Sequence, residues 1–158
     1  MPPLMERLLA EVSRLHFPEP PATPGQIAAF EARVGWRLDS DLRAFYLHCN
    51  GASLFRPRLT ANYRILSLDE IRRARAAIRG SEREEDGPPN WYTVLYLQDG
   101  DYIIADVSRT QDGRFPLLDA FHETFPDPAE TRQVAASFGE FLEKALASGD
   151  DFFWLDAG

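Results

Sequence analysis

An α+β fold is predicted for this chain by three features of its sequence. Helix-capping residues stand before amphipathic runs at four places: Thr23, Asp39-Ser40, Ser67 and Ser137. The stretch WYTVLYLQDGDYIIADVS, residues 91–108, alternates on both sides of Asp99-Gly100, a pair suited to the two-residue turn of an antiparallel hairpin. Two shorter runs, YRILS (63–67) and FPLLDAFH (115–122), read as further strands, the second placed to pair with the hairpin.

The first helix spans about 3–15, with Leu4, Leu8 and Val12 on one stripe and Met5 and Leu15 beside it. HFPEPPATPG (16–25) is too rich in proline to continue it and reads as a rigid turn. Thr23, Pro24 and Gln26 supply the N-cap, first-turn proline and capping box of a second helix. Its buried stripe is Ile27, Phe30 and Val34, and Gly35 ends it. Asp39 or Ser40 caps a third helix, in which Leu42, Phe45, Tyr46 and Cys49 recur at i, i+3, i+4 and i+7 as one apolar face. Asn50-Gly51 stops it. Cys49 therefore belongs to the core, where a thiol is inert. His48 lies about 100° round the helix from it, so the two do not face one ligand.

Ser67-Leu68-Asp69-Glu70 has capping-box spacing and is expected to open a helix to about Ile78. Leu68, Ile71, Ala74 and Ile78 then face inward, and Arg72, Arg73, Arg75 and Arg79 form a solvated stripe. GSEREEDGPPN (80–90) reads as an acidic, mobile loop. With Gln98 paired to Asp101, counting outward puts Tyr92, Val94, Tyr96, Ile103, Ala105 and Val107 on a core face. Trp91, Thr93, Leu95, Leu97, Tyr102, Ile104 and Asp106 take the other. A last helix runs from Ser137 to about Ala147 with Phe138, Phe141, Leu142 and Ala145 inward. The aromatics of the tail DDFFWLDAG are expected to cover the second hairpin face.

A length of 158 residues suits a single domain over 1–158, and 44% apolar residues with 19 aromatics suit a core that needs no disulfides. The lone cysteine fits a reducing compartment, and charges break up the N-terminal run before it reaches the length of a signal peptide or membrane span. A cytoplasmic protein is expected. The net charge of −8 is unevenly spread: residues 1–80 carry 12 Arg against 8 acids, a balance of +4, whereas residues 81–158 carry 4 Arg and 1 Lys against 17 acids, a balance of −12. Such an acidic half repels nucleic-acid phosphates and steers a basic protein partner towards itself. Metal-ligand spacings, phosphate-binding glycine loops and a nucleophile elbow are all missing from the sequence, so no catalytic residue, metal or cofactor is expected. The nearest approach to chemistry is Asp106, Asp119 and Glu123, three carboxylates that a sheet edge would have to gather for acid–base work.

Three segments in order resemble the SUKH superfamily, the Smi/Knr-type domain. IAAFEARVGWRLDSDLRAFYLHCNGA (27–52) resembles its helix–G–x–x–L–helix–NG signature, LYLQDGDYIIADVS (95–108) its Gly-Asp hairpin, and VAASFGEFLEKAL (134–146) its closing SFxxFL helix. The resemblance covers about 23–147. Asp39 stands where many members place proline, and both residue types suit a helix start. What the resemblance implies is a central, mainly antiparallel sheet flanked by helices. It also implies a non-catalytic binding role, in bacteria that of an immunity protein neutralising a polymorphic toxin, often a nuclease. Sixteen Arg against one Lys fits a GC-rich bacterial genome. On that reading Glu82, Glu84, Glu85 and Asp86 steer a basic toxin domain, and Trp91, where the loop meets the sheet, anchors it. The alternatives are a regulatory scaffold of the cell-wall-signalling type and a carboxylate-dependent hydrolase.

Overall fold

The computed structural model describes residues 3–155; Asp156, the third aspartate of the tail, lies outside them. Seven strands form one sheet in sequence order, each neighbouring pair antiparallel. They are β1 (Phe17–Pro18), β2 (Ala52–Leu54), β3 (Tyr63–Ile65), β4 (Trp91–Tyr96), β5 (Tyr102–Asp106), β6 (Leu117–Ala120) and β7 (Gln133–Ala135). The helices are α1 (Pro3–Leu15), α2 (Pro24–Val34), α3 (Ser40–His48), α4 (Ala74–Arg79) and α5 (Phe138–Ala147). Residues of α1, α2, α3 and α5 bury a first sheet face made of Leu54, Tyr63, Ile65, Leu95, Ile103, Ala105 and Leu117. On the second face, Trp91, Ile104, Leu118 and Ala120 pack under Ala74 and Ile78 of α4 and under Phe125. None of the described helices is long and apolar enough to cross a membrane.

The helix starts follow their local signals. Thr23 Oγ1 accepts from the Gln26 amide at 3.1 Å while Gln26 Oε1 accepts from the Thr23 amide at 2.8 Å, and Gly35 closes α2 at φ 81°. Asp39 caps α3 by accepting from the Leu42 amide at 2.9 Å. Cys49 is fully buried just past the end of α3, and burial pushes its thiol up to about 12. Phe45 of α3 meets Phe138 of α5 edge to face, their centroids 5.1 Å apart. Such a pair contributes about 0.5–1.5 kcal/mol beyond its buried area.

Tertiary hydrogen bonding overrides the pattern elsewhere. The proline-rich segment is not only a turn: Phe17 and Pro18 pair with Ser53 and Ala52 at the sheet edge, where proline's missing N–H is tolerated. Leu15, the last residue of α1, is 59% exposed because the chain turns away there into β1. The expected helix over 67–78 breaks into a capped turn of 3-10 type at Leu68–Glu70 and the six residues of α4. Between them, Arg72 and Arg73 extend along the half of β4 that β3 leaves unpaired: the Thr93 amide donates to the Arg72 carbonyl at 2.9 Å, and Arg73 pairs with Tyr92. An open strand edge that needs partners outweighs the continuation of a helix. Arg75 consequently points inward, only 7% exposed, donating to the Gly87 carbonyl at 3.2 Å.

The Asp99-Gly100 turn forms as expected, both residues left-handed at φ 61° and 82°. Its register does not. The Leu97 amide donates to the Asp101 carbonyl at 2.8 Å, so Tyr102 faces Tyr96 and Ile103 faces Leu95. A bulge at Val94 then puts Tyr92 opposite Ala105, which returns it to the expected face although the expected register pairs it with Val107. Leu95 and Leu97 therefore join the core face, and Tyr96 moves to the second face, since each one-residue slip exchanges the two sides. The tail is displaced too: Phe152 and Trp154 pack on Tyr63, and Phe153 and Trp154 on Phe141 of α5, at the first face rather than the second.

Two carboxylates at the start of α3 fasten the helical layer to the far side of the chain. Asp39 Oδ2 accepts from the Phe115 amide at 2.9 Å. Asp41, buried, takes Arg114 Nε at 2.9 Å on one oxygen and the Gly139 amide at the start of α5 at 3.1 Å on the other. A Cβ at residue 139 would lie 2.8 Å from Asp41 Oδ2 and 3.3 Å from Met5 Sδ. Gly139→Ala should therefore cost about 2–3 kcal/mol through overpacking, read as a lower urea midpoint with unchanged slope. A midpoint equal to the parent's would show that Asp41 moves aside freely.

Candidate functional site

The acidic loop carries less free charge than its sequence implies. Glu82 lies 3.2 Å from Arg75 Nε and 3.6 Å from Arg73 Nη1. Arg83 reaches Glu85 at 3.2 Å and Asp86 at 3.1 Å. Among the described residues, Glu84 is the one acid of the four without an ion-pair partner. Trp91 is 7% exposed: its ring packs on Phe125, and its indole N–H donates to Asp106 at 3.3 Å. It anchors the second-face core and offers no ring to the surface. The three carboxylates considered for acid–base work do not meet. Asp106 is on the second face, held by Trp91, Ser108 and Arg109, while Asp119 faces the first side opposite Ile103, and Glu123 is exposed in a loop.

What the fold builds instead is an open cleft of about 750 Å³ between the ends of β5–β7, the C-terminal half of α5 and the tail. Gly149 and Asp150, both left-handed at φ 70° and 81°, reverse the chain after α5. Arg56 pairs with Asp150 at 2.8 Å and Asn62 donates to the Asp150 carbonyl at 2.8 Å, while the Tyr63 hydroxyl donates to the Asp151 carbonyl. The tail is thereby fixed as a wall in which Phe152 stacks on Trp154 at 5.1 Å. Leu155, 64% exposed, continues that wall, and Phe121, 38% exposed, also lines the cleft. Asp101, Asp119 and Glu130 bring negative charge, Arg132 and Lys144 positive.

The carboxylates differ in how they are satisfied. Asp101 Oδ1 accepts from the His122 amide at 3.0 Å and lies 2.7 Å from His122 Nδ1. Asp119 stands in the apolar row of the first face with no ion-pair partner among the described residues. Burial raises its carboxyl to about 6, the neighbouring charge of Asp101 adds to the rise, and a hydrogen bond from Trp154 opposes it. The signal for this was present in the sequence: in LLDA, Asp119 occupies the inward position of a period-two strand. The partners that complete the cleft come from three distant segments and carry no such local mark.

A carboxyl whose folded value lies above its unfolded value binds its proton more tightly in the fold. Its contribution is therefore fully present below about pH 4 and is lost as pH rises through about 6. Asp119→Asn should abolish that loss and raise stability at pH 7.5 by about 1–3 kcal/mol, with little change at pH 4. Urea midpoints of both proteins at the two pH values check this, and an offset independent of pH would show that Asp119 does not titrate between them.

The comparisons with known proteins agree with this architecture. The uncharacterized protein YnaB of Bacillus subtilis (strain 168) is 24% identical over 144 residues, covering 91% of this chain and 89% of its own. The family model of the SMI1 / KNR4 family (SUKH-1) matches residues 21–144, from just ahead of α2 into the second half of α5. With most of the chain matched, including the α2–α3 signature, the hairpin and the larger part of the closing helix, this protein belongs to the SMI1 / KNR4 (SUKH-1) family.

Proposed function

We propose that the protein is a bacterial immunity protein that neutralises a cognate polymorphic toxin domain by occluding it, with a basic nuclease as the partner class. The observation that carries this reading is the balance of free charge at the surface. Arginines of the first half are largely spent inside the molecule: Arg58 and Arg64 on Glu70, Arg73 and Arg75 on Glu82, and Arg79 on the His122 and Phe125 carbonyls. Carboxylates of the second half without an ion-pair partner among the described residues, such as Glu84, Glu123, Asp127 and Glu130, are exposed. A nuclease keeps a positive field for its phosphodiester substrate, and an acidic protein borrows that field to arrive quickly and cover the site. Family membership supports the reading, and occlusion requires no catalytic residue of its own.

In this reading Glu82, Glu84, Glu85 and Asp86 steer association, with the strength that their arginine neighbours leave them, and Trp91 supports the sheet beneath the loop. Co-expression with a toxin domain encoded beside this gene should restore growth, and stoichiometric purified protein should abolish the toxin's activity. Toxicity that persists despite soluble expression would turn the reading towards the scaffold alternative. Exchanging Glu84 and Glu85 for glutamine should slow association about two- to threefold at low salt and have no effect near molar salt. Trp91→Ala should instead lower the melting temperature, at a cost of about 3 kcal/mol, because the ring is core.

A further inference from the structure

We propose that the cleft beside Trp154 receives a short segment of a protein partner in which one cationic side chain is flanked by apolar ones. The cation meets Asp119 and Glu130, and the apolar groups meet Phe121, Phe153 and Leu155. This rests on the protein-binding function proposed above and names the surface and the chemistry that carry it.

Size comes first. A volume of about 750 Å³ lies within the range of about 300–1,000 Å³ typical of ligand pockets and accommodates two or three side chains. The walls are set before anything binds, since the tail is fixed at Asp150 and Asp151 by Arg56, Asn62 and Tyr63. A preformed cleft spares a partner the cost of ordering it. Apolar surface lies open inside: Leu155 and Phe121 are exposed, although the rest of the tail packs on the core.

The charges select the occupant. Asp101 is already engaged by His122, and Lys144 is engaged by Glu140 at 3.3 Å while lying 5.9 Å from the Phe153 ring. Arg132, like Glu130, is exposed and without an ion-pair partner among the described residues, so the half-buried Asp119 decides the sign of the cleft. Asp119 and Glu130 are left without ion-pair partners among the described residues. Asp119 is the deeper of the two, half-buried in an otherwise apolar row, where an arriving ammonium or guanidinium would repay part of its desolvation. An arginine or lysine also lays its aliphatic stem along aromatic walls, and its charge favours ring faces. An anionic segment would meet Asp119 and Glu130 head on, and a purely apolar one would leave Asp119 desolvated without a partner.

The tripeptides acetyl-Leu-Arg-Leu-amide and acetyl-Leu-Glu-Leu-amide, with arginine amide alone, serve as probes in two-dimensional NMR of the 15N-labelled protein. The Trp154 indole signal reports on the cleft and that of Trp91, in the second-face core, is an internal control. Leu-Arg-Leu should shift Trp154 and not Trp91, with Kd on the order of 1 mM. Leu-Glu-Leu should bind at least about tenfold more weakly, and Asp119→Asn and Glu130→Gln should each weaken Leu-Arg-Leu about fivefold. Asp119→Asn is the discriminating variant, because it is expected to fold more stably while binding less well. Equal binding of the two tripeptides, or no shift of Trp154, would overturn the site. Arginine amide binding as tightly as Leu-Arg-Leu would overturn the protein segment in favour of a small cation. If the peptide fails here while the protein still protects against its toxin, the immunity reading stands and this surface is wrong. If the peptide binds as described and no protection is found, the cleft stands and the immunity reading falls.

Discussion

Asp39 and Asp41 sit two residues apart at the head of α3, and between them they join three stretches that the chain separates widely. Asp39 caps its own helix with one oxygen and takes the Phe115 amide ahead of β6 with the other. Burial raises its carboxyl while the two amides work against that rise. Asp41 binds Arg114 and the amide of Gly139, so a negative charge lies at the positive end of α5. Hydrogen bonding to Asp41 raises the Arg114 value in return. With the start of α5 pinned there, its C-terminus, the reversal at Gly149 and Asp150, and the aromatic wall follow in turn. The cleft is thus positioned by a polar knot at the opposite end of the helix that forms one of its sides.

How much of this could be read from the sequence follows from the range of each interaction. N-caps are local, so Thr23, Asp39 and Ser137 mark their helices correctly. The tight turn at Asp99-Gly100 is local too. Register is not: one amide bond at Leu97 and a bulge at Val94 move Leu95, Tyr96 and Leu97 across the sheet, with nothing in the alternation to announce it. β1 is only two residues long, and α4 loses its first turns to an edge that exists only in the folded sheet. The reversal at the tail depends on Asp150, a non-glycine residue at φ 81°, held there by Arg56 and Asn62. Of the cleft, the inward aspartate was legible and its aromatic surroundings were not.

Formal charge misleads in the same way. A balance of +4 in one half and −12 in the other reads as two opposed patches. In the fold, most of the arginine is structural. Glu70 shows how thoroughly: burial would raise its carboxyl, yet the Ser67 amide and Arg64 outweigh burial and bring it down to about 2. In the acidic loop Glu82 is met by Arg73 and Arg75, which the sequence placed on a solvated stripe, and Glu85 and Asp86 share the loop's own Arg83. What is left over is carboxylate, at Glu84 in the loop and in the segment between β6 and β7, since Glu140 and Glu143 of α5 are paired with Lys144 and Arg7.

Two kinds of half-hidden aspartate therefore coexist in one small fold, and they carry different meanings. Asp39 and Asp41 are desolvated and answered at once, by amides and a guanidinium, so their burial is spent on holding helices in place. Asp119 is desolvated with no ion-pair partner among the described residues, beside another carboxylate that worsens its position. In the row formed with Ile103 a neutral or apolar residue would be more stable. Stability given up at a position that lines an open, aromatic, preformed cleft is the pattern of a site kept for a partner rather than for the fold. Its cost at neutral pH, on the order of 1–3 kcal/mol, is a sizeable part of the 5–15 kcal/mol that stabilises an ordinary domain, and a bound cation is the kind of group that would return it.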